Sequence, residues 1–200
     1  MNGMKLNLDL ARDRMVFTAA RWLPERGMAA LNLIEVGRAA QAPRGSLYHY
    51  FPGGRDQLMQ EALALACDSG LRMIAKAAVG AESASDYLRN IFADGGTWLS
   101  AEDYSGGCPI AAAVLSTQTE GPAVQHTLRE AFQQWEAALC TALAGFGLQA
   151  PHDVEVARGV LIAFEGAMLH AKGTHSMAAF QTAGRMAQGL LPAALPHQLG

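Results

Sequence analysis

An all-α chain of about nine helices, with a small amino-terminal three-helix domain and a larger carboxy-terminal helical domain, is what the 200 residues predict. Three observations carry that expectation. Ala and Leu abound, while segments with the strand period of two are absent. Apolar residues recur at spacings of three and four, as in Val16, Ala19, Ala20 and Leu23, or Leu128, Phe132, Trp135, Leu139, Leu143 and Phe146. Pro is scarce inside these stretches, and Gly sits mostly at their ends. Half of the residues are apolar, enough for a packed core.

Taken in order, residues 1 to about 6 read as a frayed leader, followed by a helix over 7–26 that Gly27 stops, with Pro24 in its last turn. Asn32 with Glu35 three residues later forms a capping-box-like start for a helix over 33–40. A tight turn at Gln41 and Ala42 leads into a two-turn helix over 43–50. Pro43 fits its first turn, and Pro52 with Gly53 and Gly54 forbids continuation. Two short helices joined this way make a helix-turn-helix, with Val36, Leu47 and Phe51 as its small core. The head is expected to span 1–53 and the body 54–200.

The body opens with a long helix over 54–79, whose Leu58, Ala62, Leu65, Ala66 and Met73 could carry a signal from one domain to the other. Further helices are expected over 85–102, 108–118, 121–146, 153–172 and 177–191, with a polar, glycine-rich loop at 103–107 and a break at 149–152.

The net charge of -3 argues at first against a nucleic-acid partner, but its distribution reverses that reading. Residues 1–58 hold eight Lys or Arg against five Asp or Glu, and the remainder holds seven against thirteen. A basic head on an acidic body suits a DNA-binding domain joined to an effector domain. Arg44, Ser46, Tyr48, His49 and Tyr50 would set a cation, donors and aromatic edges on one small surface suited to phosphates and base edges. The plain alternative is a polar surface turn. Arg12 and Arg14 lie on the polar side of the first helix, as solvated charges or phosphate ligands.

The run Gly45 to Phe51, followed by Arg55 and Leu58 and preceded by Arg12, Arg14, Ala19, Ala20 and Gly27, resembles the amino-terminal domain of TetR-family transcriptional repressors. Two later pieces, Gly107-Cys108-Pro109-Ile110-Ala111-Ala112 and Phe164-Glu165-Gly166-Ala167, resemble the carboxy-terminal domain of a subgroup associated with drug-efflux regulation. The resemblance implies a homodimeric repressor on a palindromic operator, released by a small-molecule effector. It implies that Arg44, Ser46, Tyr48 and His49 touch the operator, with Asn32, Pro43 and Tyr50 beside them, and that Arg55 stands where the family places a phosphate-binding lysine. It also implies that the last two helices pack against their copy, with Val160, Leu161, Phe164, Ala183 and Ala187 in the seam. Three departures stand out: Gln41 replaces the usual turn glycine, Gly37 a usual alanine, and Pro43 a Ser or Thr cap.

A largely apolar ligand pocket is expected among Phe92, Trp98, Cys108, Val114, Phe132, Trp135 and Met168, with Glu165 as its polar member and the 103–107 loop as a gate. The apolar stripe of the 121–146 helix reads equally as plain core. Cys67, Cys108 and Cys140 form no close pair, and the six histidines lack metal spacing, so neither disulfide, metal nor cofactor is expected. An enzyme would rest on Cys108 before Pro109, with no base placed beside it. A helical protein-binding adaptor would leave Arg44, Tyr48 and His49 without a purpose. Neither a membrane-length apolar run nor a signal-peptide pattern is visible, which points to the cytoplasm.

Overall fold

The structure, a computed structural model, describes residues 6–116 and 122–192. The expectations for residues 1–5, 117–118 and 121 lie outside them. Among the described residues there are nine α-helices, joined by turns and two short 3-10 segments, and no strand. They form two compact units, one of residues up to 69 with 108–131, the other of 70–107 with 132 onward.

In the first unit, α1 spans Ala11–Arg26 and starts four residues later than its periodicity indicated. The cause is local: Asn7 builds a turn, its side chain accepting from Asp9 N–H at 3.1 Å and its carbonyl from Leu10 N–H at 2.9 Å. Gly27, at φ 74°, ends the helix. A 3-10 turn at Met28–Ala30 follows, and then α2 at Leu33–Ala39. Asn32 caps α2, its Oδ1 accepting from the N–H groups of Ile34 and Glu35 at 2.9 and 3.3 Å. The backbone N–H of Asn32 donates to Ala30 O at 2.9 Å.

The exit from α2 answers two of the three departures. Gln41 N–H donates to Arg38 O at 3.1 Å and Ala42 N–H to Gly37 O at 2.8 Å, a Schellman motif with Gln41 at φ 53° in the glycine position. A residue with a Cβ pays of order 1–3 kcal/mol for that conformation. Gly37 is explained by packing: a Cβ there would lie 2.6 Å from Leu47 Cδ2, so its absence lets α2 and the next helix meet closely. That helix is tighter at its start than expected, a 3-10 turn at Arg44–Ser46 leading into α3 at Leu47–Tyr50. Val36, Leu47 and Phe51 are all buried, and so are Met15, Val16, Leu23 and Leu58 around them. Each such side chain contributes roughly 1.5–3 kcal/mol. Also in this unit, α6 (Pro109–Ser116) packs on α1 and on the 28–30 turn.

Helices α4 (Gly54–Ala77) and α7 (Pro122–Gly145) run without interruption from one unit into the other. The second unit adds α5 (Ala84–Ala101), α8 (His152–Thr174) and α9 (Ala178–Gln188), with α9 packed on both α5 and α8. Ser83 caps α5 by accepting from Asp86 N–H at 3.1 Å. Its hydroxyl donates to the Asp86 carboxylate, which together with Arg89 holds that carboxyl below its ordinary value. The core centres on Phe92, Phe164 and Phe180, with ring centroids 5.8 and 5.5 Å apart in sequence. Gly95 makes room for them, since a Cβ there would lie 2.4 Å from the Phe164 ring.

Candidate nucleic-acid interface

The arginines of the head separate into those with internal work and those without. Arg12 donates from Nη2 to both oxygens of Glu61 at 2.6 and 2.7 Å and stacks over Phe51 at 5.3 Å. Arg14 binds the Ala40 and Gln41 carbonyls in the turn that precedes the reading helix and the Leu8 and Asp9 carbonyls ahead of α1, and Arg26 covers the Trp22 ring at 4.0 Å. Arg21 pairs with Glu25. Arg38 and Arg44, both exposed, have no ion pair or hydrogen bond from their side chains among the described residues. One lies in the last turn of α2 and the other in the first turn of the reading segment, with only the Gln41 turn and Pro43 between them.

Exposed beside Arg44 on this segment are Pro43 and His49, with Tyr48 at 66% exposure. Ser46 and Tyr50 are half-buried, and the Tyr50 ring leans on His49 at 6.1 Å between centroids. A guanidinium can grip a phosphate or the O6/N7 edge of guanine, and tyrosine and histidine can donate to either. The arrangement therefore presents donors and one positive charge, with no acidic side chain on the segment.

Two assigned residues have other roles in the structure. Arg55 is half-buried, its Nε donating to Leu31 O at 2.9 Å and its Nη2 to Met28 O at 2.9 Å, so it fastens the 28–30 turn. Asn32 uses its side-chain oxygen as the α2 cap. Arg38, conversely, was not singled out by sequence. Its sequence signal was mixed: it is a cation one turn before the helix-turn-helix corner, but Glu35 stands three residues earlier at helical spacing, and only the structure shows the two unpaired among the described residues.

The expected pocket residues divide between the units. Cys108 and Val114 belong to the first, where Cys108 Sγ accepts from Ala111 N–H at 3.4 Å at the start of α6 and Val114 is exposed. In the second unit Phe92, Trp135 and Met168 are buried core, Phe132 meets Trp135 edge-on at 5.5 Å, and Glu165 is half-buried. Trp98 is 45% exposed and rests against Gly106. The 103–107 loop is held down: Asp103 and Tyr104 both have positive φ, the Tyr104 ring meets His175 at 5.3 Å, and Lys172 Nζ donates to Ser105 O at 3.0 Å.

Of the residues expected in the seam, Val160, Phe164, Ala183 and Ala187 are buried within their own unit, where Phe164 packs between Phe92 and Phe180. Leu161 is half-buried. The large exposed apolar residues of the same helices are Ile162, Leu169 and Met186, with Leu190 just past the end of α9. No helix among the described residues is long and apolar enough to cross a membrane.

A helix-turn-helix head on a helical body is the architecture of a helix-turn-helix transcriptional regulator. Residues 17–62 match the bacterial regulatory proteins of the tetR family, and residues 84–186 match the carboxy-terminal domain of LmrA/YxaF-like transcriptional regulators. The chain is 32% identical over 193 residues to the uncharacterized HTH-type transcriptional regulator Rv0196 of Mycobacterium tuberculosis, covering 94% of this chain and 97% of that one. It is 22% identical over 159 residues to the HTH-type transcriptional regulator LmrA of Bacillus subtilis, covering 80% of this chain and 85% of the relative. The chain belongs to the TetR family of transcriptional regulators. Among solved structures, regulatory protein TetR from Rhodobacter sphaeroides has the same fold at TM-score 0.80 and 20% identity, over 90% of this chain and 98% of that one. A TetR transcriptional regulator from Legionella pneumophila follows at TM-score 0.79 and 14% identity, over 94% and 100%. The family and fold are those of regulators rather than enzymes.

Proposed function

We propose that this regulator is a repressor that binds a palindromic operator as a homodimer and is released by a small apolar or aromatic effector. Residues 1–53 act as the DNA-binding part and 54–200 as the ligand-binding and dimerisation part. The observation that carries the reading is the pair of unpartnered, exposed arginines, Arg38 and Arg44, flanking the corner of a helix-turn-helix whose other arginines all have internal partners. The Arg44–Tyr50 segment enters the major groove, where Arg44, Tyr48 and His49 meet base edges or phosphates and Arg38 adds a phosphate contact.

The dimer seam runs along the outward face of α8. Ile162, Gly166, Leu169 and Gly173 repeat at spacings of four, three and four, are all exposed, and have open space above both glycines. Apolar residues and glycines at that period let a second helix approach closely. Exposed Met186 on α9 and Leu190 just past its end add further apolar surface. The effector acts by its difference in affinity between two conformers, and α4, continuous from Gly54 to Ala77, is the element able to carry that difference to the head.

Substitution tests the contact assignment. Arg44→Ala, Arg38→Ala and His49→Ala should each weaken operator binding by roughly 1–3 kcal/mol for a base contact, or lower the salt slope by about one for a phosphate contact. Helix content and dimer mass should be unchanged. Three variants that bind the operator as tightly as the parent, with the same salt slope, would refute the assignment.

A further inference from the structure

Gln41 occupies a left-handed position that the family fills with glycine, yet its Schellman bonds are intact. Something outside the turn must hold it. Arg14 is placed to do so: its Nε donates to Ala40 O at 2.9 Å and its Nη2 to Gln41 O at 3.4 Å, the carbonyls of the C-cap and of the left-handed residue that follows it. From the other side Nη1 donates to Leu8 O at 3.1 Å and Asp9 O at 3.0 Å, which anchors the guanidinium to the chain ahead of α1. A shallow cleft of about 180 Å³ lies beside it, lined by Leu8, Phe17 and Ala39 together with Arg14 and Gln41.

We infer that Arg14 is a positioning residue for DNA recognition: it clamps the Gln41 turn in the conformation that sets the angle of the reading helix, replacing the backbone freedom that a glycine would supply. This rests on the operator-binding reading above. It concerns no contact with DNA by Arg14 itself. A residue with the forked geometry of guanidinium is required, because the Ala40 and Gln41 carbonyls of the turn and the Leu8 and Asp9 carbonyls ahead of α1 are bound at once, whereas an ammonium is a single point of charge.

The consequence is a specific coupling between positions 14 and 41, which a double-mutant cycle measures. Arg14→Ala should weaken binding to the selected operator about tenfold, equivalent to about 1.4 kcal/mol, while leaving affinity for an unrelated duplex within about twofold. Arg14→Lys, which keeps the charge, should lose nearly as much. Gln41→Gly alone should bind like the parent, and Gln41→Gly combined with Arg14→Ala should recover operator affinity to within about threefold. A purely electrostatic role makes the opposite demands: Lys restores binding and Gly does not. That pattern, or a double variant no better than Arg14→Ala, overturns the inference.

Hydrogen exchange at the Ala42 amide, whose N–H bonds Gly37 O, gives a readout that needs no DNA. It should quicken in Arg14→Ala and slow again when Gln41→Gly is added; no change in either overturns the clamp. If the parent selects no operator, the proposed function falls, and this exchange still decides the clamp. Should Arg14→Ala fail to fold, Arg14→Lys carries the same comparisons.

Discussion

Tyr87→Phe should make the protein more stable. Tyr87 is fully buried on α5, its ring tilted against Phe146 at 5.6 Å between centroids, and its hydroxyl is a buried side-chain polar atom without a hydrogen-bond partner in the described structure. Leaving a hydroxyl desolvated and unpaired costs about 1–3 kcal/mol. Removing the oxygen leaves a void no larger than itself, which at about 24 cal/mol per Å³ returns only a few tenths of a kcal/mol. The net gain is therefore about 1–2 kcal/mol, or a Tm rise of roughly 2–8 °C for a chain of this size.

The assay for that gain is urea unfolding at one fixed protomer concentration, because association shifts apparent stability, and the slope should be unchanged. Burial also raises the Tyr87 pKa above its ordinary 10.0. A raised folded-state value means the associated stability is complete below the unfolded value and is lost as pH climbs from there toward the folded one. The advantage of Phe should therefore widen above about pH 10. A variant that loses more than about 0.5 kcal/mol would show that the hydroxyl has a partner, and would refute the reasoning.

Charged replacements at Ile162 and Leu169 should give monomers by sedimentation with native helix content, whereas Phe164→Ala should cost about 3–5 kcal/mol in stability, as a buried aromatic does, and leave the oligomer's contacts in place. Dimers surviving both charged replacements would move the seam elsewhere. Burial, with Asp68 nearby, pushes the Cys67 thiol up from 9.0 to about 11. Its stability contribution should fade as pH rises above about 9, and at pH 8 a thiol reagent should modify half-buried Cys108 well before Cys67. Equal labelling rates would contradict that placement.

Periodicity and end signals made the helices legible to within a few residues, because apolar spacing and the Gly and Pro stops act locally. The Asn32 cap was visible for the same reason. The later start of α1 was not, since the Asn7 turn competes with a helical pattern through side-chain bonds that propensity ignores. Arg55 illustrates a harder limit: beside two glycines it reads as a phosphate ligand, while its partners, the carbonyls of Met28 and Leu31, are contacts made only in the folded head. The α8 helix is apolar on more than one face, so periodicity marked it as buried without telling its inward side, holding Phe164, from its outward side, holding Ile162 and Leu169. Gly37 and Gln41 stood out as departures in sequence, but only the Leu47 approach and the Arg14 bonds give them a cause.

Selection of bound sites from random duplex DNA with the purified protein, followed by titration of the winner across salt, tests the central claim most directly. A dimer reading successive major grooves predicts a palindrome with half-sites about one helical turn, or a multiple of it, apart. It also predicts a steep fall of affinity with salt, as phosphate contacts release counterions. Failure to enrich any sequence, repeated after unfolding and refolding to strip a carried-over ligand, would contradict it.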